Sequence, residues 1–182
     1  NGEVILASSL TTIPHKESPM EEPKSAQYNN LGSDKLPKPK IYLPGPITGC
    51  TNDEKYLWRK YIKLKYDSEF DFIDPIEFGD WECGQEKIME EIQLKCRKAI
   101  KECTAVVAKM SRNSVGTSMG IFLGWWLGKI VVIICDKEKW PLLKSYSDVL
   151  VKDEDQAIGW LKMAILPRDK VRISQSIPNE AF

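Results

Sequence analysis

Histidine is nearly missing from this chain: His15 is the only one in 182 residues. A Ser-His-Asp set needs an imidazole beside its partners, and His15 lies in a Pro-rich stretch remote from every other candidate, which excludes that chemistry. Zinc-binding spacing is missing too. The five cysteines, Cys50, Cys83, Cys96, Cys103 and Cys135, form no C-x-x-C pair, so neither a metal nor another cofactor is expected. Their odd number and scatter suit free thiols in a reducing, intracellular compartment.

An excess of one charge is also lacking. Lys and Arg number 26 and Asp and Glu number 26, for a net charge of zero. A binder of nucleic-acid polymers would show a basic excess or stripe, so no such partner is expected, although a local phosphate site remains compatible. Long apolar runs are absent: Ile121 to Cys135 is the longest, Lys129 interrupts it, and a membrane span needs roughly 20 residues. No transmembrane span and no secretory signal are expected. The chain opens at Asn1 rather than Met. Removal of an organelle presequence would place it in the mitochondrial matrix; simple trimming leaves the cytoplasm equally open.

What is present divides into three zones. Residues 1–39 form a Pro-rich arm, punctuated by Pro14, Pro19, Pro23, Pro37 and Pro39, with many Ser, Asn, Glu and Lys. Such a segment cannot bury enough apolar surface to fold alone, so it is expected to lie against its own body or a partner. A body over 40–165 and a tail over 166–182 follow. In the body, Ile41-Tyr42-Leu43 reads as a strand closed by Pro44-Gly45-Pro46. Thr51 or Asn52 caps a helix over about 53–66, with Leu57, Tyr61 and Leu64 on one side. Phe70 to Ile73 is a second strand. Gln85 to Cys103 is a helix with the apolar stripe Ile88, Ile92, Cys96, Ala99 and Ile100. Thr104 to Met110 is apolar without alternation, as for a buried parallel strand. A helix over Gly116 to Gly128, strands over Ile130 to Cys135 and Asp148 to Val151, and a helix from Asp153 to about Ala164 complete the series. The alternation of strands and helices implies an α/β fold with a parallel sheet.

Four segments in this order resemble the nucleoside 2-deoxyribosyltransferase and deoxynucleoside-monophosphate N-hydrolase superfamily. They are Ile41 to Gly49, Asp74-Pro75, Thr104 to Val132 (including Ser114-Val115-Gly116-Thr117-Ser118-Met119-Gly120-Ile121 and Gly128-Lys129-Ile130), and Trp140-Pro141 with Ser147-Asp148-Val149. The resemblance implies a three-layer, flavodoxin- or Rossmann-like α/β sandwich with a mostly parallel sheet of about five strands. It also implies a nucleotide or phosphate site of Tyr42, Gly45, Thr48, Gly49, Ser114, Gly116 and Thr117. Backbone amides of the Gly45–Gly49 loop suit an anion, and Ser114, Gly116 and Thr117 open a helix, where free amides and the dipole favour phosphate. Ser and Thr also cap helices for purely local reasons. The fold requires this helix start to face the Gly45–Gly49 loop.

The catalytic half of the resemblance is degenerate. The family carries a Glu where this chain has Gly120, and glycine neither attacks a sugar carbon nor accepts a proton. Two further family acids fall at Cys96 and Thr104. Asp74, Glu77, Asp80 and Glu82 follow the second strand; Asp74 or Glu82 is the fallback acid, although solvated loop charges are the plainer expectation. Gly120, Gly124 and Gly128 recur every four residues, and Gly in a helix costs up to about 1 kcal/mol relative to Ala, so another backbone is expected close by: the domain's own sheet or a partner helix. Trp125 and Trp126 adjoin this ladder; core packing is the plain expectation, with one of the two pointing elsewhere. The resulting expectation is a non-catalytic, structural or nucleotide-binding subunit. It would meet partners or a second copy through the arm and the Trp125/Trp126 helix. The alternative is an active N-glycosidase or deoxyribosyltransferase acting on a nucleoside monophosphate.

Overall fold

A computed structural model describes residues 37–136 and 140–175, with side chains to residue 165. The expected arm over 1–39 lies outside the described residues except for Pro37 to Pro39, as does the tail from 176. The elements run β1 (Lys40–Tyr42), α1 (Asn52–Tyr66), β2 (Asp71–Ile73), α2 (Glu86–Glu102), β3 (Ala105–Met110), α3 (Val115–Trp126), β4 (Ile130–Cys135), β5 (Val149–Val151) and α4 (Glu154–Gln175). Short 3₁₀ turns at Pro75–Phe78 and Pro141–Tyr146 follow β2 and β4. The sheet order is β2-β1-β3-β4-β5, and every pairing is parallel.

The sheet is buried on both faces, which explains why β3 and β4 read as unbroken apolar runs. Successive side chains go to opposite faces. Ile41, Ala105, Val107, Val132 and Ile134 pack with Trp58 and Ile62 of α1 and with Ala157, Ile158 and Leu161 of α4. Tyr42, Val106, Ala108, Val131 and Ile133 pack with Ile92, Cys96, Ala99 and Ile100 of α2 and with Ile121 of α3. Two cores separated by one sheet make three layers. Each fully buried Ile or Leu stabilises by about 1.5–3 kcal/mol.

Helix boundaries follow local chemistry. Thr51 and Glu54 form a capping box at α1, with the Glu54 amide donating to Thr51 Oγ1 at 3.3 Å and the Thr51 amide to Glu54 Oε2 at 2.8 Å. Asp153 caps α4 by accepting from the Gln156 amide at 2.8 Å. α3 closes in a Schellman arrangement: the Gly128 amide donates to Trp125 O at 2.9 Å and the Lys129 amide to Gly124 O at 3.0 Å. Gly128 sits at φ +65°, the left-handed conformation that this cap needs.

Two expectations are revised and one with two alternatives is resolved. The buried side of α1 is not Leu57, Tyr61 and Leu64, which are exposed; it is Trp58, Arg59 and Ile62. A cation on the inner face is stabilised by Asp74, a partner fifteen residues away that helical periodicity does not report. α4 continues past Ala164 to Gln175. Within the glycine ladder, Gly124 faces the domain's own sheet, where a Cβ would lie 2.7 Å from Val106 Cγ2, Gly120 faces the loop after β1, where a Cβ would lie 3.1 Å from Pro44 Cβ, and Gly128 serves the cap.

Candidate functional site

β1 connects outward to β2 on one side and β3 lies on its other side, so the strand order reverses between β1 and β3. In open parallel sheets a crevice opens at the carboxyl ends of such strands. A cavity of about 340 Å³ lies there, between the loop after β1 and the start of α3. Tyr42, Gly45 and Thr48 line one wall; Asn113, Ser114, Gly116 and Thr117 line the other. A second cavity of about 280 Å³ shares Tyr42, Trp81, Gln93 and Gly116 with it and continues to Cys96 and Gly120. The structure thus brings together six of the seven nucleotide-site residues read from the sequence. Gly49, at φ +68°, turns the loop beyond the cavity wall.

Each wall is held by identifiable contacts. Gly45 is required by close approach: a Cβ there would lie 2.7 Å from Trp58 Cζ2 and 2.9 Å from Arg59 Nη2. Arg59 is fully buried, donates from Nε to Leu43 O at 3.2 Å and pairs with Asp74 Oδ1 at 3.3 Å. Burial holds its pKa down at about 10, against the opposing pull of Asp74. Arg112 ties the loop after β1 to the start of α1: Nη1 donates to Gly49 O at 2.7 Å and Nη2 to Glu54 Oε1 at 3.1 Å. Across the cavity, Ser114 caps α3, its hydroxyl accepting from the Thr117 amide at 3.3 Å and the Thr117 hydroxyl at 2.8 Å. The amides of Val115 and Gly116 then stand at the helix start without an intrahelical acceptor.

The cavity's titratable groups are few. Among the described residues, no Asp, Glu or His lines either cavity. The Tyr42 hydroxyl hydrogen-bonds with the Cys96 thiol; burial, reinforced by Cys96, raises its pKa far above the usual phenol range. Burial likewise pushes the Cys96 thiol up, so both groups stay neutral at ordinary pH. Of the three positions at which the resemblance places acids, Gly120 and Cys96 meet at the cavity. Thr104 does not. It is exposed at the amino end of β3, a six-residue strand, and such a strand rises about 20 Å to its other end. Asp74 is buried and engaged: Lys63 Nζ lies 2.9 Å from its Oδ2, and its Oδ1 also accepts from the Ile76 amide at 3.1 Å. Glu82 is exposed and pairs with Lys55. Neither lines the cavity.

Sequence reasoning did not identify Arg112, Asn113, Trp81 or Gln93 in this region. Trp81 Nε1 donates to Pro75 O at 2.8 Å, which fixes the indole against the cavity. The only signal in sequence was proximity: Arg112 and Asn113 directly precede the Ser114 cap. Among the described residues, no group of three or more His, Cys, Asp or Glu could hold a metal ion, and no helix is long and apolar enough to cross a membrane.

No known family model matches this chain, and no curated protein sequence does. The fold does match solved structures. A 2-deoxyribosyltransferase from Bacillus psychrosaccharolyticus superposes with a TM-score of 0.50 at 18% identity, over 63% of this chain and 86% of that one. A conserved protein from Enterococcus faecalis gives 0.44 at 17% identity, over 69% and 87%. A CMP N-glycosidase from Clostridium botulinum gives 0.42 at 15% identity, over 68% and 98%. The chain has a five-stranded, all-parallel α/β fold of the 2-deoxyribosyltransferase type.

Proposed function

We propose that this chain is a nucleoside deoxyribosyltransferase-like subunit that binds a nucleotide, or holds a structural place, without cleaving an N-glycosidic bond. The observation that carries this reading is the pairing of a phosphate-suited helix start with a cavity that, among the described residues, no carboxylate lines. Amides at the start of α3 favour an anion. Glycosidic cleavage through a carboxylate nucleophile or a general acid needs a carboxyl group within reach of the sugar. At Gly120 the space beyond Cα is taken by Pro44, with a Cβ contact of 3.1 Å. In this reading Tyr42, Gly45, Thr48, Ser114, Gly116 and Thr117 surround the nucleotide and Gly49 shapes the loop. The subunit works within a larger assembly of the mitochondrial matrix or cytoplasm, and residues 1–39 reach its partner. Deleting residues 1–38 then leaves the body folded by circular dichroism and weakens that association.

Mixing the protein with deoxynucleoside monophosphates decides between this reading and its alternative. Calorimetry is expected to show binding, and chromatography to show no free base. Release of base would establish the alternative, an active N-glycosidase or deoxyribosyltransferase, and loss of that release in Asp74→Asn or Glu82→Gln would identify its acid. Gly120→Glu is likewise expected to release no appreciable base. The restored carboxylate meets Pro44 and lacks the acid missing at Cys96, and catalytic groups that act as a unit recover little singly.

A further inference from the structure

The two cavities of the crevice run into one another along α2 and α3, and their far ends differ in chemistry. At the first end, Ser114 and the amides that open α3 suit an anion. The second end sets Gln93, Cys96 and Arg97 of α2 against Gly120 and Phe122 of α3. From Ser114 to Leu123 the helix rises about 13 Å. One ligand can therefore hold its anionic group at the first end and a ring at the second. Trp81 lines both cavities, and its Nε1 is engaged by Pro75 O at 2.8 Å, so the indole brings no free donor to the groove. Stacking on such a ring tolerates every base and sets no preference among them.

The hydrogen-bonding capacity of the second end is one-sided. Among the described residues no Asp or Glu lines it. Where the resemblance places acids stand Cys96, whose thiol is engaged with the Tyr42 hydroxyl, and Gly120. A carboxylate there would accept from an exocyclic amino group on a base. What remains is Arg97, which only donates, and Gln93, whose amide both donates and accepts. No described residue forms a hydrogen bond or ion pair with either side chain. An exocyclic oxygen placed here finds donors. An exocyclic amino group meets the donors of Arg97 and loses its hydrogen bonds to water without replacement.

We infer that the groove selects nucleotides whose base carries an exocyclic oxo group over those with an amino group at the same position, with Arg97 donating to that oxygen. The inference rests on the nucleotide reading given above and names the class of base. A 6-oxopurine suits Arg97 best, because its adjacent O6 and N7 acceptors match the guanidinium fork. A 4-oxopyrimidine offers O4 alone. Adenine and cytosine set an amino group against the same fork, donor against donor. Gln93 pairs with either kind of base, so the choice falls to Arg97. The missing acids and the base preference are then one feature. Losing the carboxylates that would serve the chemistry also removes the acceptors that an amino base needs.

Calorimetry on the full chain at fixed salt tests it with two matched pairs, dIMP against dAMP and dUMP against dCMP. The oxo member of each pair is expected to bind about tenfold more tightly. Arg97→Gln should bring both ratios close to one, and Arg97→Glu, which supplies an acceptor, should invert them. Arg97 is exposed, so far-ultraviolet circular dichroism is expected to be unchanged in both variants. The nucleosides deoxyinosine and deoxyadenosine should keep the dIMP-to-dAMP ratio at lower affinity, because Arg97 reads the base. Equal affinities within each pair for wild type overturn the inference and leave nucleotide binding standing. So does a ratio that survives Arg97→Gln. An Arg97→Gln variant that weakens all four ligands equally would assign the guanidinium to the phosphate and overturn it likewise. Absence of binding by all four removes the nucleotide reading, and this inference with it. Release of base bears on the non-catalytic reading alone.

Discussion

The two faces of the sheet are finished in different ways. On the α1/α4 face, polar side chains close the surface from within the chain. Asp155 accepts from Tyr61, Lys65 and Tyr66, Lys109 lies 2.6 Å from Glu154, and Lys162 reaches Glu69 at 2.6 Å. Beneath them Arg59 and Asp74 form a buried pair. On the α2/α3 side, among the described residues, no carboxylate lines the crevice, and α3 carries no charged side chain and exposes Val115, Met119, Phe122, Trp125 and Trp126. The first side still leaves Trp58 Nε1 and Arg59 Nη2 buried without a hydrogen-bond partner among the described residues, whereas the second leaves the large apolar side chains of α3 in solvent.

Breaking the buried pair has the largest expected effect. Asp74→Ala leaves Arg59 charged, desolvated and without its carboxylate, and losing one partner of such a pair costs about 3–5 kcal/mol. Urea denaturation should show that loss. A cost below 1 kcal/mol would mean that the Leu43 and Lys55 carbonyls, which accept from Arg59 Nε and Nη1, alone hold the guanidinium. Next comes the inner side of α3. Gly124→Ala forces a methyl group to 2.7 Å from Val106 Cγ2, and overpacking of this kind costs typically 1–3 kcal/mol. The same denaturation curves should place Trp126→Glu, on the outer side of that helix, within about 0.5 kcal/mol of wild type. Equal losses at the two positions would erase the contrast between a tight inner and a bare outer surface.

The smallest expected effect is pH-dependent and belongs to the α1/α4 face. Lys65 first, then Tyr66 and Tyr61, lower the pKa of Asp155 from 3.8 to about 2. Because its folded pKa lies below the unfolded one, its contribution is full above about pH 4 and is lost as pH falls toward 2. Asp155 is exposed, so solvent and salt screen the interaction. The gap in melting temperature between wild type and Asp155→Asn should therefore be small at neutral pH, shrink with salt, and close through that acid window. A gap that widened on acidification would reverse the assignment.

Sequence made the α2/α3 side of the fold legible because its rules are local. The Ile92-Cys96-Ala99-Ile100 stripe, the apolar β3 and β4 runs and the Ser114 cap each report on neighbours within a few residues. The inner side of α1 was misread because Arg59 counts as polar in any periodicity, and its burial depends on Asp74 meeting it through the fold. Thr104 came from the resemblance, which puts an acid at the opening of the third strand; that opening lies at the amino edge of the sheet, and the cavity lies at the other one. The exposed Trp125 and Trp126 followed no local rule, since burial of an aromatic side chain is decided by what stands opposite it.

Arg112 holds Gly49 and Glu54 at once, and through them the loop after β1 and the cap of α1. Its backbone leads within two residues to Ser114. The rim on both sides of the crevice is consequently framed by one short stretch of chain, before any guest arrives. For the nucleotide proposed above, a rim pinned in this way implies docking without a loop-folding step in series, so that diffusion and orientation set the arrival rate.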